Sequence, residues 1–339
     1  MTQHSASAAL AVPFATASVP FRTAAEARGT PIEEGEGRLK VTFQFGTITL
    51  TGDGAVTALR IHARDQVGLQ LLRDGLAERV RDIGAGLDWD ADLTGRRPAN
   101  QSLATVTEVT RLSPSYMRLV LEGPDLARLA EGGYHFRLLF GPDGAGWPVT
   151  DAGGVTQWPG GAEAWHRPVY TARELHIGDG GAARIVFDVF IHEGGRTTDW
   201  ARRVSPGTEI AITGPGGGKG PGEAGWYLLV GDETAVPVMA RVLARLPATA
   251  QGRAVLFVPQ AADRQDLQHP PGIVVDWILR GGDLTPLSVV QEQTLPAADR
   301  FVYVATERSE AIAARQYLSG IGLTKAEMLC ASYWTAPAA

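Results

Sequence analysis

The stretch Tyr227-Leu228-Leu229-Val230-Gly231-Asp232-Glu233-Thr234-Ala235-Val236-Pro237 decides the fold. Four apolar residues in a row, 227 to 230, suit a strand buried on both faces, as in a parallel sheet. The run stops at a glycine, and Ala235, Val238, Met239, Val242, Leu243 and Leu246 then recur at helical spacing. Strand, glycine and helix start so close together make a βα junction, with Thr234 standing where an N-cap belongs. Backbone N–H groups and the helix dipole at such a junction attract a phosphate or another anion. The same turn also occurs without a ligand, and the charges of Asp232 and Glu233 oppose an anion unless they face away.

Downstream the grammar repeats. Val255 to Val258 and Phe301 to Val304 are further candidates for buried strands, Ser309 to Leu318 for a second helix, and Met328 to Tyr333 for a last strand. Strand and helix in alternation imply an α/β domain with a parallel sheet over residues 222–339. Upstream the pattern differs. Thr105 to Thr110, Met117 to Leu121 and Phe136 to Phe140 are short strand candidates between Pro and Gly turns, and Ile185, Phe187, Val189 and Ile191 alternate. Short strands without long helices suggest a closed antiparallel β-barrel over 102–214. Ile212 to Gly218, rich in glycine, reads as a flexible hinge between barrel and sheet.

Nearer the N-terminus, Leu39, Val41, Phe43 and Phe45 alternate on one face of a strand. Gly52-Asp53-Gly54 marks a turn and Val56 to Ile61 another strand. Leu69, Leu72, Leu76, Val80 and Ile83 then share a helix face, with Asp65 as N-cap and Gly84 as stop. These make a small α+β domain over 36–95, and Trp89 to Asn100 reads as a linker. Residues 1–35, rich in Ala, Ser, Thr and Pro, read as a flexible segment. The expected class is multidomain: a small α+β domain, an antiparallel barrel and an α/β domain.

The 339 residues are 44% hydrophobic and 20% charged with a net charge of −6, a globular composition without the basic footprint of a nucleic-acid binder. No apolar run approaches the roughly 20 residues needed to span a bilayer. The start of the chain lacks the basic stretch of an export signal, so a cytoplasmic location is expected. The single cysteine, Cys330, makes no intrachain disulfide and no cysteine-rich metal site; its apolar neighbours place it in a core. No metal centre is expected, and the oligomeric state is not legible.

Two more segments carry chemistry. Ile191-His192 ends a strand, Glu193-Gly194-Gly195-Arg196 turns, and Thr197-Thr198-Asp199-Trp200 opens a helix. Hydroxyls, N–H groups and Arg196 meet there at a helix N-terminus, a second anion site. In His166-Arg167-Pro168-Val169-Tyr170-Thr171-Ala172-Arg173, a tyrosine and a threonine on a barrel strand lie between arginines. That suits a flavin, whose ring packs on aromatic surface and whose phosphates need cations; Tyr and Thr are also simply common in strands.

In order and spacing these segments resemble the siderophore-interacting protein family, a branch of the ferredoxin-reductase-like flavoproteins, from Ser102 to Pro337. Tyr170, Thr171 and Arg173 meet the family's Arg-x-Tyr-Thr-x-Arg flavin motif. His192, Gly195, Trp200 and Ala201 fit its His-rich turn and helix start, and Gly214, Pro215 and Gly217 its Gly-Pro-x-Gly. Gly231 to Ala235 with Pro237 match its Gly-Asp-Glu-Thr-Ala-x-Pro signature in full, and Tyr333-Trp334 its C-terminal aromatic pair. Residues 18–92 look like a small domain of unknown function often associated with the family.

The resemblance implies FAD in the barrel, NADPH or NADH at the α/β domain, and reduction of Fe(III) held by a siderophore. On the barrel strand it assigns Arg167, Tyr170, Thr171, Ala172 and Arg173 to cofactor binding, and at the helix start His192, Gly195, Thr197, Thr198 and Trp200. Gly214 and Gly217 follow, then Asp232, Thr234 and Ala235, and finally Trp334. Arg137 and Arg264 are implied as cations for an anionic ferric chelate. Where the motif's first arginine belongs this chain has Pro168, with Arg167 one residue early. Arg196-Thr197-Thr198 stands for Gly-Pro-Ala, Ala305-Thr306-Glu307 for a more glycine-rich turn, and Ser332 for glycine. These departures leave open the same scaffold turned to a tailoring or cyclisation step in small-molecule biosynthesis, with or without FAD, or to non-enzymatic binding.

Overall fold

A computed structural model describes residues 4–336, except 53, 82, 85 and 219. Asp53 of the expected turn, and residues 1–3 and 337–339 of the expected terminal segments, lie outside them. The chain divides into two units, one of Met1–Ser102 with Leu139–Arg167, the other of Leu103–Leu138 with Pro168–Ala339.

In chain order the elements are β1 (His4–Leu10), α1 (Phe14–Arg28), β2 (Ile32–Gly35), β3 (Arg38–Phe43), β4 (Gly46–Thr51), β5 (Thr57–Ala63), α2 (Gln66–Arg81) and β6 (Leu87–Trp89). Then come β7 (Gln101–Ser113), β8 (Tyr116–Gly123), β9 (His135–Leu138), β10 (Val149–Thr150), β11 (Thr156–Gln157), β12 (Val169–Thr171), β13 (Glu174–Ile177), β14 (Ala183–Phe190), α3 (Arg196–Arg203) and β15 (Glu209–Gly216). The last are β16 (Trp226–Gly231), α4 (Val236–Leu243), β17 (Gln251–Val258), β18 (Gly272–Leu279), α5 (Pro286–Glu292), β19 (Arg300–Glu307), α6 (Arg308–Gly320) and β20 (Met328–Trp334).

The first unit is an antiparallel sheet in the order β2-β3-β4-β5-β1-β6. Leu39, Val41, Ile48, Leu50, Leu59 and Ile61 share one core with Leu69, Leu72, Leu76 and Val80 of α2. Asp65 caps α2, its Oδ1 accepting from the Gly68 N–H at 2.7 Å. The expected flexible N-terminal segment is instead part of this core. β1 pairs with β5 on one side and β6 on the other, and Ala6, Ala8 and Leu10 face inward with Phe21 of α1. Its inward side is mostly alanine, so the alternation was too weak in hydropathy to stand out.

The expected linker over Trp89 to Asn100 is also built in. The Leu93 and Gly95 N–H groups donate to the carbonyls of Ala152 and Thr150 at 2.8 and 2.7 Å. The Leu139–Arg167 segment thus belongs to this unit, and the expected strand from Phe136 ends at Leu138. Asp74 of α2 fastens it, accepting from the Thr156 N–H at 2.8 Å and hydroxyl at 2.9 Å, although burial raises its pKa.

In the second unit, an antiparallel sheet runs β12-β9-β15-β7-β8-β14-β13. Its edge strands β12 and β13 are joined by Ala172-Arg173 alone, so the sheet closes on itself as a barrel. Phe136, Phe187 and Tyr170 fill it, with ring centroids 5.4 and 5.6 Å apart at steep angles. The expected hinge is part strand: β15 runs through Gly216, with Thr213 opposite Arg137 and Gly216 opposite His135. At Gly217, φ is 78° and a Cβ would come within 2.4 Å of His135 Nδ1, so the glycine makes room for that imidazole.

The parallel sheet has the order β18-β17-β16-β19-β20. β16 is its centre, as the apolar run required. Tyr227 and Leu229 face α4, while Leu228 and Val230 face α5 and α6. Leu228, Leu229 and Val230 are wholly buried, and truncating either leucine to alanine costs about 2–5 kcal/mol. Cys330 lies in the second of these cores, where burial pushes its thiol up to about 11.

Candidate functional site

All contacts below lie within the second unit unless stated. The turn after β16 is sealed by its own acids. Asp232, wholly buried, accepts from the Thr234 N–H at 2.9 Å and hydroxyl at 2.6 Å, and from Trp334 Nε1–H at 2.7 Å. Glu233 pairs with Arg280 at 2.6 Å, and its carbonyl accepts from the Tyr116 hydroxyl at 2.7 Å. Burial raises the pKa of Glu233, with Arg280 opposing. The helix itself starts one residue later than expected. Ala235 is the N-cap residue of α4 without a side-chain bond, because the Thr234 hydroxyl is donated to Asp232.

On β12, Thr171 is buried and Tyr170 half-buried, its hydroxyl hydrogen-bonded with that of Thr197. Burial pushes Tyr170 up to about 12, against that bond. Thr197 and Thr198, both buried, form the first turn of α3. Thr198 Oγ1 accepts from the His192 N–H at 3.3 Å, while Gly195 is the N-cap residue and no side chain caps the helix. A Cβ at Gly195 would lie 2.6 Å from His192 Cε1, so a larger residue there would have to displace the exposed imidazole. Trp200 is half-buried on the same helix and His192 is exposed.

Arg173 is already committed. Its Nη1 donates to Asp188 at 3.1 Å, and Arg118 holds the same carboxylate through two bonds of 2.7 and 2.9 Å. Burial lowers the pKa of Arg173, with Asp188 opposing, while the bond to Asp188 raises that of Arg118. Arg173 is therefore held in place by a carboxylate that it shares with Arg118.

A chain of hydroxyls joins β12 to the parallel sheet. Tyr333 on β20 lies 2.8 Å from His135 Nε2 and 3.2 Å from the Tyr303 hydroxyl, and it is hydrogen-bonded with Thr171. Burial drives Tyr303 up to about 12 and raises Tyr333 well above its ordinary value. Burial and the nearby Arg241 hold His135 down at about 4, so it is neutral at pH 7. Behind these residues Arg241 of α4 donates to the Ala172 carbonyl.

The sequence-assigned residues thus form three linked groups: Tyr170 with Thr197 and the α3 start, Thr171 with Tyr333, and Asp232 with Thr234 and Trp334. Gly214 and Gly217 lie at the end of β15, beside His135. Arg167 is not among them; it belongs to the first unit, where its guanidinium stacks 4.7 Å over Trp158. Arg137 and Arg264 are both exposed, one on β9 and the other just after Asp263, whose buried Oδ1 accepts from Ser113 and Ser115. Sequence reasoning missed His135, Asp188, Arg241, Arg280 and Tyr303. Only Arg241 carried a signal, as a cation inside a helix whose neighbours are apolar.

Residues 105–219 match the siderophore-interacting FAD-binding domain, and residues 224–337 match the siderophore-interacting protein domain. The chain is 28% identical over 241 residues to ferric vibriobactin reductase of Vibrio cholerae, which covers 66% of this chain and 85% of that one. It is 31% identical over 215 residues to the NADPH-dependent ferric-chelate reductase of Escherichia coli, covering 60% and 80%. The crystal structure of a siderophore utilization protein from T. fusca superposes with a TM-score of 0.61 at 26% identity, over 74% of this chain and 97% of that one. A siderophore-interacting protein from Aeromonas hydrophila shares the fold, with a TM-score of 0.57 at 24% identity over 70% and 99%.

Proposed function

The chain belongs to the siderophore-interacting protein family, and on that premise we propose that it is an FAD-dependent oxidoreductase reducing ferric siderophores with NADPH or NADH. The reaction balances as one NAD(P)H and two Fe(III) giving NAD(P)⁺, a proton and two Fe(II). Hard oxygen chelators hold Fe(II) far less tightly than Fe(III), so reduction frees the metal. Bound FAD supplies the conversion between a two-electron donor and one-electron acceptors.

The observation that carries this reading lies inside the stretch matched as an FAD-binding domain. There Tyr170 meets, through Thr197, a helix start that no side chain caps, and the next residue, Thr171, brings a buried hydroxyl to Tyr333. These residues fit FAD. Tyr170 offers a ring face, Thr171 a hydroxyl, and the first turn of α3 its N–H groups and dipole to the phosphates. Arg173 is held by Asp188 and Pro168 offers no charge, so the cation for the phosphates is Arg196, exposed at the helix start. His192, Gly195 and Thr198 shape the turn.

We place the nicotinamide nucleotide at the turn after β16. Thr234 and Trp334 already hydrogen-bond Asp232, and Arg280 supplies a positive charge beside both Asp232 and Glu233, which weakens their repulsion of an anion. Arg137 and Arg264 are assigned to the anionic chelate. The barrel is the flavin half and the parallel sheet the nucleotide half, and the proposed location is the cytoplasm, where reduced nicotinamide is at hand. The relatives are named ferric reductases, which favours this reading over a tailoring or cyclisation step.

A colorimetric Fe(II) chelator added to protein, FAD, NADPH or NADH, and a ferric siderophore tests it. Coloured Fe(II) complex should form at a rate proportional to protein. FAD-loaded protein that gives only the background rate with several ferric siderophores rejects the proposal.

A further inference from the structure

Arg241 lies on α4, a helix with every residue buried, and is itself 5% exposed. Among the described residues no carboxylate pairs with it. Its guanidinium instead donates to the carbonyl of Ala172, reaches that of Tyr134 at 3.5 Å, and stacks 4.3 Å over the Tyr134 ring. A second cation, Arg245, stands 5.9 Å over the same ring. Burying a cation without a counter-charge is costly, and an apolar side chain of similar length would pack here without that cost. The Ala172 N–H donates to the Tyr134 carbonyl at 2.9 Å, so Arg241 grips β9 and β12 at the point where they pair. The next residue on β9 is His135, which holds Tyr333; the residue before Ala172 is Thr171.

We propose that Arg241 is a positioning residue for the flavin-bearing strand and that its unpaired charge makes the bound flavin easier to reduce. The inference rests on the FAD reading above. Reduction places negative charge on the cofactor, and a fixed cation in a low-dielectric interior stabilises that charge more than it would in water. α4 also begins at the nucleotide turn, so the helix that carries Arg241 runs from that turn to the strand ends at Tyr134 and Ala172.

The test compares wild type, Arg241→Met and Arg241→Lys, each loaded with FAD. Fluorescence titration gives the FAD dissociation constant, and equilibration with a reference dye gives the midpoint potential. For Arg241→Met the ratio of reduced to oxidised flavin at the wild-type midpoint should fall about tenfold, equivalent to about 30 mV for a two-electron couple. Arg241→Lys keeps the charge but not the planar grip, so its potential should stay near wild type while FAD binding weakens about tenfold. Arg241→Gln replaces the methionine variant if that does not fold. A folded Met or Gln variant with the wild-type potential overturns the charge role, and a Lys variant with wild-type FAD affinity overturns the positioning role. Wild-type protein that takes up no FAD overturns the functional reading, and this inference with it.

Discussion

The Trp334 indole donates its Nε1–H to Asp232 Oδ2 at 2.7 Å, tying the last strand to the turn after β16. The other oxygen of Asp232 is taken by Thr234, and Arg280 stands 3.7 Å from Oδ2. Trp334→Phe keeps the ring's bulk but leaves a buried carboxylate oxygen without its close donor, at a cost of about 1–3 kcal/mol. Urea unfolding should show the lower midpoint. An unchanged midpoint would mean that water or Arg280 replaces the indole fully.

Asp188 holds two guanidinium groups at once, and its side chain is wholly buried. Asp188→Asn should destabilise by about 3 kcal/mol, because Arg173 is left charged and nine-tenths buried with only the half-exposed Glu174, 4.0 Å away, to balance it. Removing Arg173 as well, in an Asp188→Asn, Arg173→Met double variant, should recover part of the loss. A double variant less stable than Asp188→Asn alone would contradict this account of the network.

His135 supplies a pH dependence. Its folded pKa of about 4 lies below the unfolded value of 6.5, so the unfolded chain binds the extra proton first. The stability that neutral His135 contributes is therefore present above pH 6.5 and lost as pH falls from 6.5 towards 4. It amounts to at most about 3 kcal/mol. Thermal melts across that window should slope less steeply for His135→Gln than for wild type. Parallel slopes would place the acid sensitivity elsewhere.

The parts of the fold that announced themselves are those where hydropathy and geometry agree. Residues 227–230 could hardly form anything but a doubly buried strand, and Leu69 to Val80 kept a clear helical stripe. β1 did not, because alanines make its inward face. β18 did not either, because Asp276 splits its apolar residues into two runs of three and at the sheet edge Val274 is 60% exposed. In the candidate site, Tyr170, Thr171 and Thr197 were legible as residue types at a strand and a helix start. Their partners were not: Tyr333 reaches Thr171, and Asp188 takes Arg173, through contacts between residues far apart in the chain. Whether Asp232 faced a ligand or its own turn was likewise set by Trp334, 102 residues away.

Thr171→Val is a nearly isosteric change that removes one hydroxyl from the proposed flavin strand. Losing one neutral hydrogen bond of about 1 kcal/mol should weaken FAD binding about fivefold. Fluorescence titration reads this directly. An unchanged dissociation constant would show that the flavin does not use this hydroxyl.

The most direct test of the central claim is one anaerobic absorbance series. Purified protein is given FAD and freed of excess, then NADPH, or NADH in a parallel cuvette, and then a ferric siderophore. The account predicts a flavin band that stays with the protein, bleaches with the reduced nicotinamide and returns when the ferric chelate is added. A protein that retains no flavin, or whose flavin neither nucleotide bleaches, would contradict it.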